Sequence, residues 1–144
     1  MMRKTTRVKS LIPIAIILVL ASAYGFWYQR SRGKIRAVKA VVESALSAQI
    51  LGQALGERAT LVQFSSAFCT PCRATKLLLQ NVIAHMPDVR HMDIDAEAHL
   101  ELVRKLDIRS TPTTLFLDSR GVEVGRAVGA PQRNQVLNAL VALR

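Results

Sequence analysis

The chain has 144 residues, half of them hydrophobic, two cysteines, and 20 Lys/Arg against 10 Asp/Glu, for a formal charge of +10. That length leaves room for one domain plus an appendage. The charge loses its nucleic-acid meaning once it is divided: residues 1–40 hold nine Lys/Arg and no acid, residues 41–144 eleven Lys/Arg against ten Asp/Glu, leaving the larger part at +1.

The excess flanks one apolar segment. Residues 1–10 form a basic tail with Arg3, Lys4, Arg7 and Lys9, and Arg30, Arg32, Lys34, Arg36 and Lys39 follow the segment Leu11–Tyr28. As a helix, 11–28 would rise about 27 Å, enough for a hydrocarbon layer, with Pro13 in its first turn and Tyr24, Phe26, Trp27 and Tyr28 as an interfacial aromatic belt. A transmembrane anchor in contact with the lipid bilayer is therefore expected. Ala21-Ser22-Ala23 resembles a signal-peptide cleavage site, but the apolar run continues past it into Phe26-Trp27-Tyr28 and a basic cluster, which favours an uncleaved anchor. Four basic residues precede the segment and five follow it, a near tie in the positive-inside count. The domain is read as extracytoplasmic, with the cytoplasmic face as the alternative.

Residues 29–46 read as a basic juxtamembrane linker or helix. Val38, Val41, Val42, Ala45 and Leu46 give 37–51 a rough helical period, broken by Gly52 and Gly56. Residues 47–144 then hold one domain, large enough to bury a core without disulfide staples. Its pattern predicts strands at 60–66, 89–94, 113–118 and 122–128, and helices at 70–86, 96–106 and 131–143. Pro87 ends the first of these helices, and Pro131 sits at the first position of the last. Asp118-Ser119-Arg120-Gly121 joins the last two strands as a hairpin. Helices between strands imply parallel pairs, so an α/β domain with a central mixed sheet flanked by helices is expected.

The only cysteines stand as Cys69-Thr70-Pro71-Cys72, between the apolar run Thr60–Phe64 and the helical Arg73–Leu79. Two thiols with no other sulfur partner point to a redox pair. A cysteine at a helix start meets unpaired N–H groups and the positive end of the dipole, which favour the attacking thiolate. Other readings make demands the sequence does not meet. Cys69-x2-Cys72-x12-His85-x5-His91 matches a zinc-finger spacing, but Cys72 enters a helix and Pro87 interrupts the chain between the histidines. Haem attachment wants His where Arg73 stands. Two inert buried thiols do not suit a pair at a surface helix start.

The strand 60–66, the Cys-x-x-Cys helix, Asp93-Ile94-Asp95 and Ser110-Thr111-Pro112-Thr113-Thr114 occur in an order and spacing that resembles the thioredoxin family, most closely its membrane-anchored bacterial branch, including TlpA-like proteins. The resemblance implies a thioredoxin-like fold in residues 47–144, with Cys69 as nucleophile, Cys72 as resolving thiol, the two joined as a disulfide when oxidised, and Pro112 as a cis-proline. It implies that Thr111, Thr70, Pro71 and Phe68 border the substrate and that no metal or organic cofactor is needed. Arg73, and Lys76 a turn on, would add positive charge near the thiolate.

Three positions depart from the family pattern. Gln63 stands where thioredoxins carry a buried acid thought to move the resolving thiol's proton, Phe68 where tryptophan is usual, and Thr70 where glycine is common between the cysteines. His85, His91 and His99 read as helix-end, strand and helix-surface residues without partners. Asp93, Asp95 and Glu97 read as a capped start of the following helix rather than a metal site. The resulting expectation is a bacterial membrane-anchored thiol–disulfide oxidoreductase that exchanges disulfides with proteins and takes electrons from a separate donor. Alternatives are a specialised reductase of apocytochrome or metallochaperone thiols and a redox-inactive adaptor on the same scaffold.

Overall fold

The computed structural model describes residues 5–31, 35–37 and 46–143, with side chains described for 13–28 and 46–143. The chain divides into two compact units, Met1–Arg32 and Gly33–Arg144.

The first unit is one helix, α1 (Thr5–Ser31). It starts earlier than the apolar segment, so Pro13, expected in a first turn, lies inside it. Every described side chain from Pro13 to Tyr28 is exposed, and apolar residues occupy all sides. Tyr24 stacks on Tyr28 with ring centroids 6.1 Å apart and meets Trp27 at 6.2 Å, the i,i+4 and i,i+3 neighbours of one helix face. Among the described residues no helix is long and apolar enough to cross a membrane. The side chains of Leu11 and Ile12, which complete the 11–28 segment, lie outside the described ones, as does the tail 1–4.

The second unit is built on a five-stranded sheet in the order β1-β5-β4-β2-β3. Its strands are β1 (Ile35–Ala37), β2 (Ala59–Ser65), β3 (Val89–Asp95), β4 (Thr113–Asp118) and β5 (Glu123–Val128). β2 is an interior strand, paired on both sides, and all its residues but the last are buried, as a strand covered on both faces requires. β2 pairs parallel with β3, whereas β2–β4, β4–β5 and β1–β5 are antiparallel. Only one of the helix-crossed connections therefore makes an adjacent parallel pair. The other carries the chain across β2 to its far side, where β4 runs the opposite way. β1 falls within 29–46, read from sequence as linker or helix; three residues are too short to show an alternating pattern.

The helices cover the sheet on both faces. α3 (Thr70–Ile83) and α5 (Arg133–Ala142) bury Leu79, Val82, Val136 and Leu140 against Leu61, Val89 and Phe116. On the other face α2 (Ala48–Leu51) and the end of α4 (Leu100–Lys105) bring Leu51, Leu106 and Ile108 to Val62, Phe64, Met92 and Leu115. The helical period read over 37–51 yields one turn, α2, capped by Ser47 and closed by Gly52 at φ 70°; residues 38–45 lie outside the described ones.

Local side chains shift the helix starts. Asp95 accepts the Glu97 N–H at 2.9 Å and its carbonyl meets His99 Nδ1 at 3.0 Å, a turn that holds 96–99 out of the helix until Leu100. Gln135 Oε1 accepts the Gln132 N–H at 2.8 Å, so α5 starts at Arg133 and Pro131 lies before the cap. The hairpin turn is as expected: Asp118 Oδ1 accepts the N–H groups of Arg120 and Val122 at 2.9 Å, and Gly121 adopts φ 79°.

Candidate active site

The end of β2 delivers the chain through Ser66, Ala67 and Phe68 to the start of α3. Cys69 is the N-cap, with extended backbone (φ −91°, ψ 95°), and its Sγ accepts the Cys72 N–H at 3.1 Å. The nucleophile implied by resemblance thus caps the helix whose first N–H groups face it. Pro71 sits in the first turn, where its missing N–H removes no helix bond. Cys69 and Cys72 form a disulfide, with Cα atoms 5.2 Å apart. Cys69 is half-buried and Cys72 is 3% exposed, so one sulfur is open to a partner and the other lies beneath it.

Around the pair, Phe68 is fully exposed and Thr70 and Pro71 are exposed. The Thr111–Pro112 peptide is cis and Pro112 is buried. Ser66 Oγ, three residues before Cys69, lies 3.2 Å from Thr111 Oγ1, and the Pro112 carbonyl accepts the Gly129 N–H at 2.8 Å. This loop is held from two sides, by the segment leading to Cys69 and by the end of β5. Arg73 is exposed. Lys76, expected to lend charge to the thiolate, is instead engaged with Asp93 at 3.0 Å.

Gln63 lies beneath α3 and is wholly buried. Its Nε2 donates to the Cys72 carbonyl and to Ser65 Oγ, both at 2.9 Å, and its Oε1 faces His91 Nε2 at 3.3 Å. Ser65 Oγ hydrogen-bonds Asp93 Oδ1, whose other oxygen receives the Lys76 ammonium. His91 and His99, read as partnerless, both have hydrogen bonds; His85 is exposed. Burial holds the His91 imidazole below its ordinary pKa; Asp93 opposes that shift and Lys76 adds to it. Sequence reasoning missed His91, Ser65 and Asp93 as parts of the site. The signal lay in alternation: His91 and Asp93 share a strand face, as do Gln63 and Ser65, and the parallel register sets Gln63 against Asp93.

Among the described residues no group of three or more His, Cys, Asp or Glu is placed to hold a metal ion. An open sulfur joined to a covered one at a helix start defines a centre for thiol–disulfide exchange. The Thioredoxin family model matches residues 37–142. Thioredoxin of Mycolicibacterium smegmatis is 30% identical over 107 residues, 72% of this chain and 92% of that protein. Rice Thioredoxin H5 is 32% identical over 72 residues, spanning 50% of this chain but only 53% of the rice protein. The crystal structure of spinach chloroplast thioredoxin F superposes with a TM-score of 0.55 at 26% identity, covering 62% of this chain and 79% of that one. The chain belongs to the thioredoxin family of thiol–disulfide oxidoreductases.

Proposed function

We propose that this protein is a membrane-anchored thioredoxin-like thiol–disulfide oxidoreductase of the bacterial, TlpA-like kind, exchanging disulfides with protein substrates through Cys69-Thr70-Pro71-Cys72. The observation that carries the chemistry is the asymmetry of the disulfide: Cys69 is reachable and Cys72 is covered. In the reduced protein the Cys69 thiolate, favoured by the helix start, attacks a substrate disulfide and expels one substrate thiolate, leaving a mixed disulfide. Cys72 then loses its proton and attacks Cys69 Sγ, which restores the Cys69–Cys72 disulfide and releases the second substrate thiolate. A separate dithiol donor returns two electrons to the protein.

Thr111, Phe68, Thr70 and Pro71 form the rim that meets an extended substrate segment, Thr111 through its backbone. Phe68 offers an aromatic contact that leaves water on binding. Anchoring rests on the 11–28 segment, its basic flanks and the apolar, exposed circumference of α1, the pattern of a helix whose solvent is lipid. The domain is assigned to the extracytoplasmic side of the bacterial membrane.

The test is a pair of cysteine variants of the full chain in mild detergent. Cys69→Ser abolishes reduction of a model protein disulfide, and Cys72→Ser accumulates mixed disulfides because attack survives while resolution is lost. Undiminished reduction by Cys69→Ser overturns the assignment.

A further inference from the structure

The hydrogen bonds around Gln63 have only one consistent direction. Both amide hydrogens of Gln63 are used, one on the Cys72 carbonyl and one on Ser65 Oγ, so its Oε1 is the atom left to face His91 and can only accept. His91 therefore carries a hydrogen on Nε2 in either charge state. Ser65, accepting from Gln63, donates its own hydrogen to Asp93, and Asp93 takes its second bond from Lys76. The chain of donors runs inward from His91 to the peptide of the resolving cysteine.

Two further facts mark this as more than core packing. Gln63 is an amide at 0% exposure beneath α3, and Thr114, its register partner on β4, has a buried hydroxyl without a hydrogen-bond partner among the described residues, so this side of the sheet holds more polar groups than the fold needs. The bond to Cys72 also ties the first turn of α3 to β2, fixing where the covered sulfur stands relative to Cys69.

We propose that His91 is the positioning residue for the resolving step: by holding Gln63 it holds the Cys72 peptide, and its charge state sets how readily Cys72 forms a thiolate. This rests on the reading of Cys69 as attacker and Cys72 as resolver. In the resolving step the Cys72 thiol gives its proton to solvent and its sulfur displaces the substrate sulfur from Cys69. The departing substrate thiolate takes up a proton, so two electrons pass from the cysteine pair to the substrate disulfide over the whole cycle. The groups facing His91 are Gln63 on β2, Asp93 on its own strand and Lys76 on α3. As pH falls and His91 becomes an imidazolium, the added positive charge stabilises a Cys72 thiolate. The decline of resolution with acidity is then shallower than simple protonation of a thiol would give.

The experiment uses the full chain in mild detergent and single-turnover kinetics with a model protein disulfide, following formation and decay of the mixed disulfide from pH 5 to pH 8. His91→Leu slows decay by between about two- and tenfold, the scale of one hydrogen bond, and leaves formation unchanged. His91→Gln, which restores an N–H donor without an ionisable ring, recovers the rate but loses the shallow acid limb. In the Cys69→Ser background, alkylation of Cys72 shows the same loss of the acid limb in both variants. Decay and pH profile unchanged in His91→Leu overturn the proposal, as does an equal fall in formation and decay, which marks a merely structural residue. Should Cys72→Ser fail to accumulate mixed disulfide in the parent, it is the underlying assignment of the cysteines that falls.

Discussion

Replacing Gln63 by aspartate restores the residue type usual at this position in thioredoxins, yet the surroundings here are arranged for an amide. An ionised carboxylate donates nothing, so the bond to the Cys72 carbonyl is lost and that oxygen is brought to face the new charge, and Ser65 Oγ meets the carboxylate only by turning its hydrogen away from Asp93, which breaks that bond instead. Each lost bond costs roughly 1 kcal/mol, and burying the charge, toward which only the His91 N–H is already directed, adds a further penalty that raises the new carboxyl's pKa. Gln63→Asp is therefore destabilised by about 3 kcal/mol at pH 8. The raised folded-state pKa fixes the sign: the protonated acid is favoured in the folded protein, so the penalty is smallest near the unfolded carboxyl's value and grows as pH rises to the folded one, by about 1.4 kcal/mol per unit of difference. Urea unfolding of the oxidised full chain in detergent at pH 5 and pH 8 measures it, with Gln63→Leu as the control that loses the Gln63 bonds without a titration. The same destabilisation of Gln63→Asp at both pH values would refute the reasoning.

Three other outcomes are expected. Glu123 is 7% exposed and holds Arg126, which also donates to the Leu106 carbonyl at 3.1 Å; Glu123→Ala strands that guanidinium and lowers unfolding stability by roughly 2–4 kcal/mol, as urea titration reads. Gly121→Ala places a Cβ 2.3 Å from the Leu46 carbonyl oxygen at φ 79°, so it costs at least about 2 kcal/mol and loosens the Leu46 N–H bond to Gly121, visible as faster amide exchange at Leu46. A membrane-impermeant thiol reagent applied to reduced intact cells labels Cys69; labelling only after lysis moves the domain to the cytoplasmic face.

The elements of the larger unit were legible wherever local chemistry sets them. β2 is an apolar run, α3 starts after Cys69 with Pro71 in its first turn, and the β4–β5 turn is written in Asp118 and Gly121. Boundaries slipped where one side chain reached a nearby N–H, as Asp95 does before α4 and Gln135 before α5. β1 was hidden because three residues carry no period, and its partner lies some ninety positions away. The cysteines and Pro112 were readable at the site, but what surrounds Gln63 was not. Its partners His91 and Ser65 meet it only after the parallel register of β2 and β3 is set. That register is a tertiary fact, and each residue alone reads as an ordinary strand position.

The sulfur of Cys69 ends the helix and opens the reaction, and the two duties share one atom. Reduction exchanges a covalent tether between Cys69 and Cys72 for a negative charge seated on the N–H groups of the first turn, a stronger acceptor than the neutral disulfide sulfur. The order of that turn and the electron count of the protein are therefore linked variables in the thermodynamic sense. Anything that frays the start of α3 makes the reduced state less favourable, whereas drawing electrons from Cys69 trades that seated charge for the Cys69–Cys72 bond as what holds the turn.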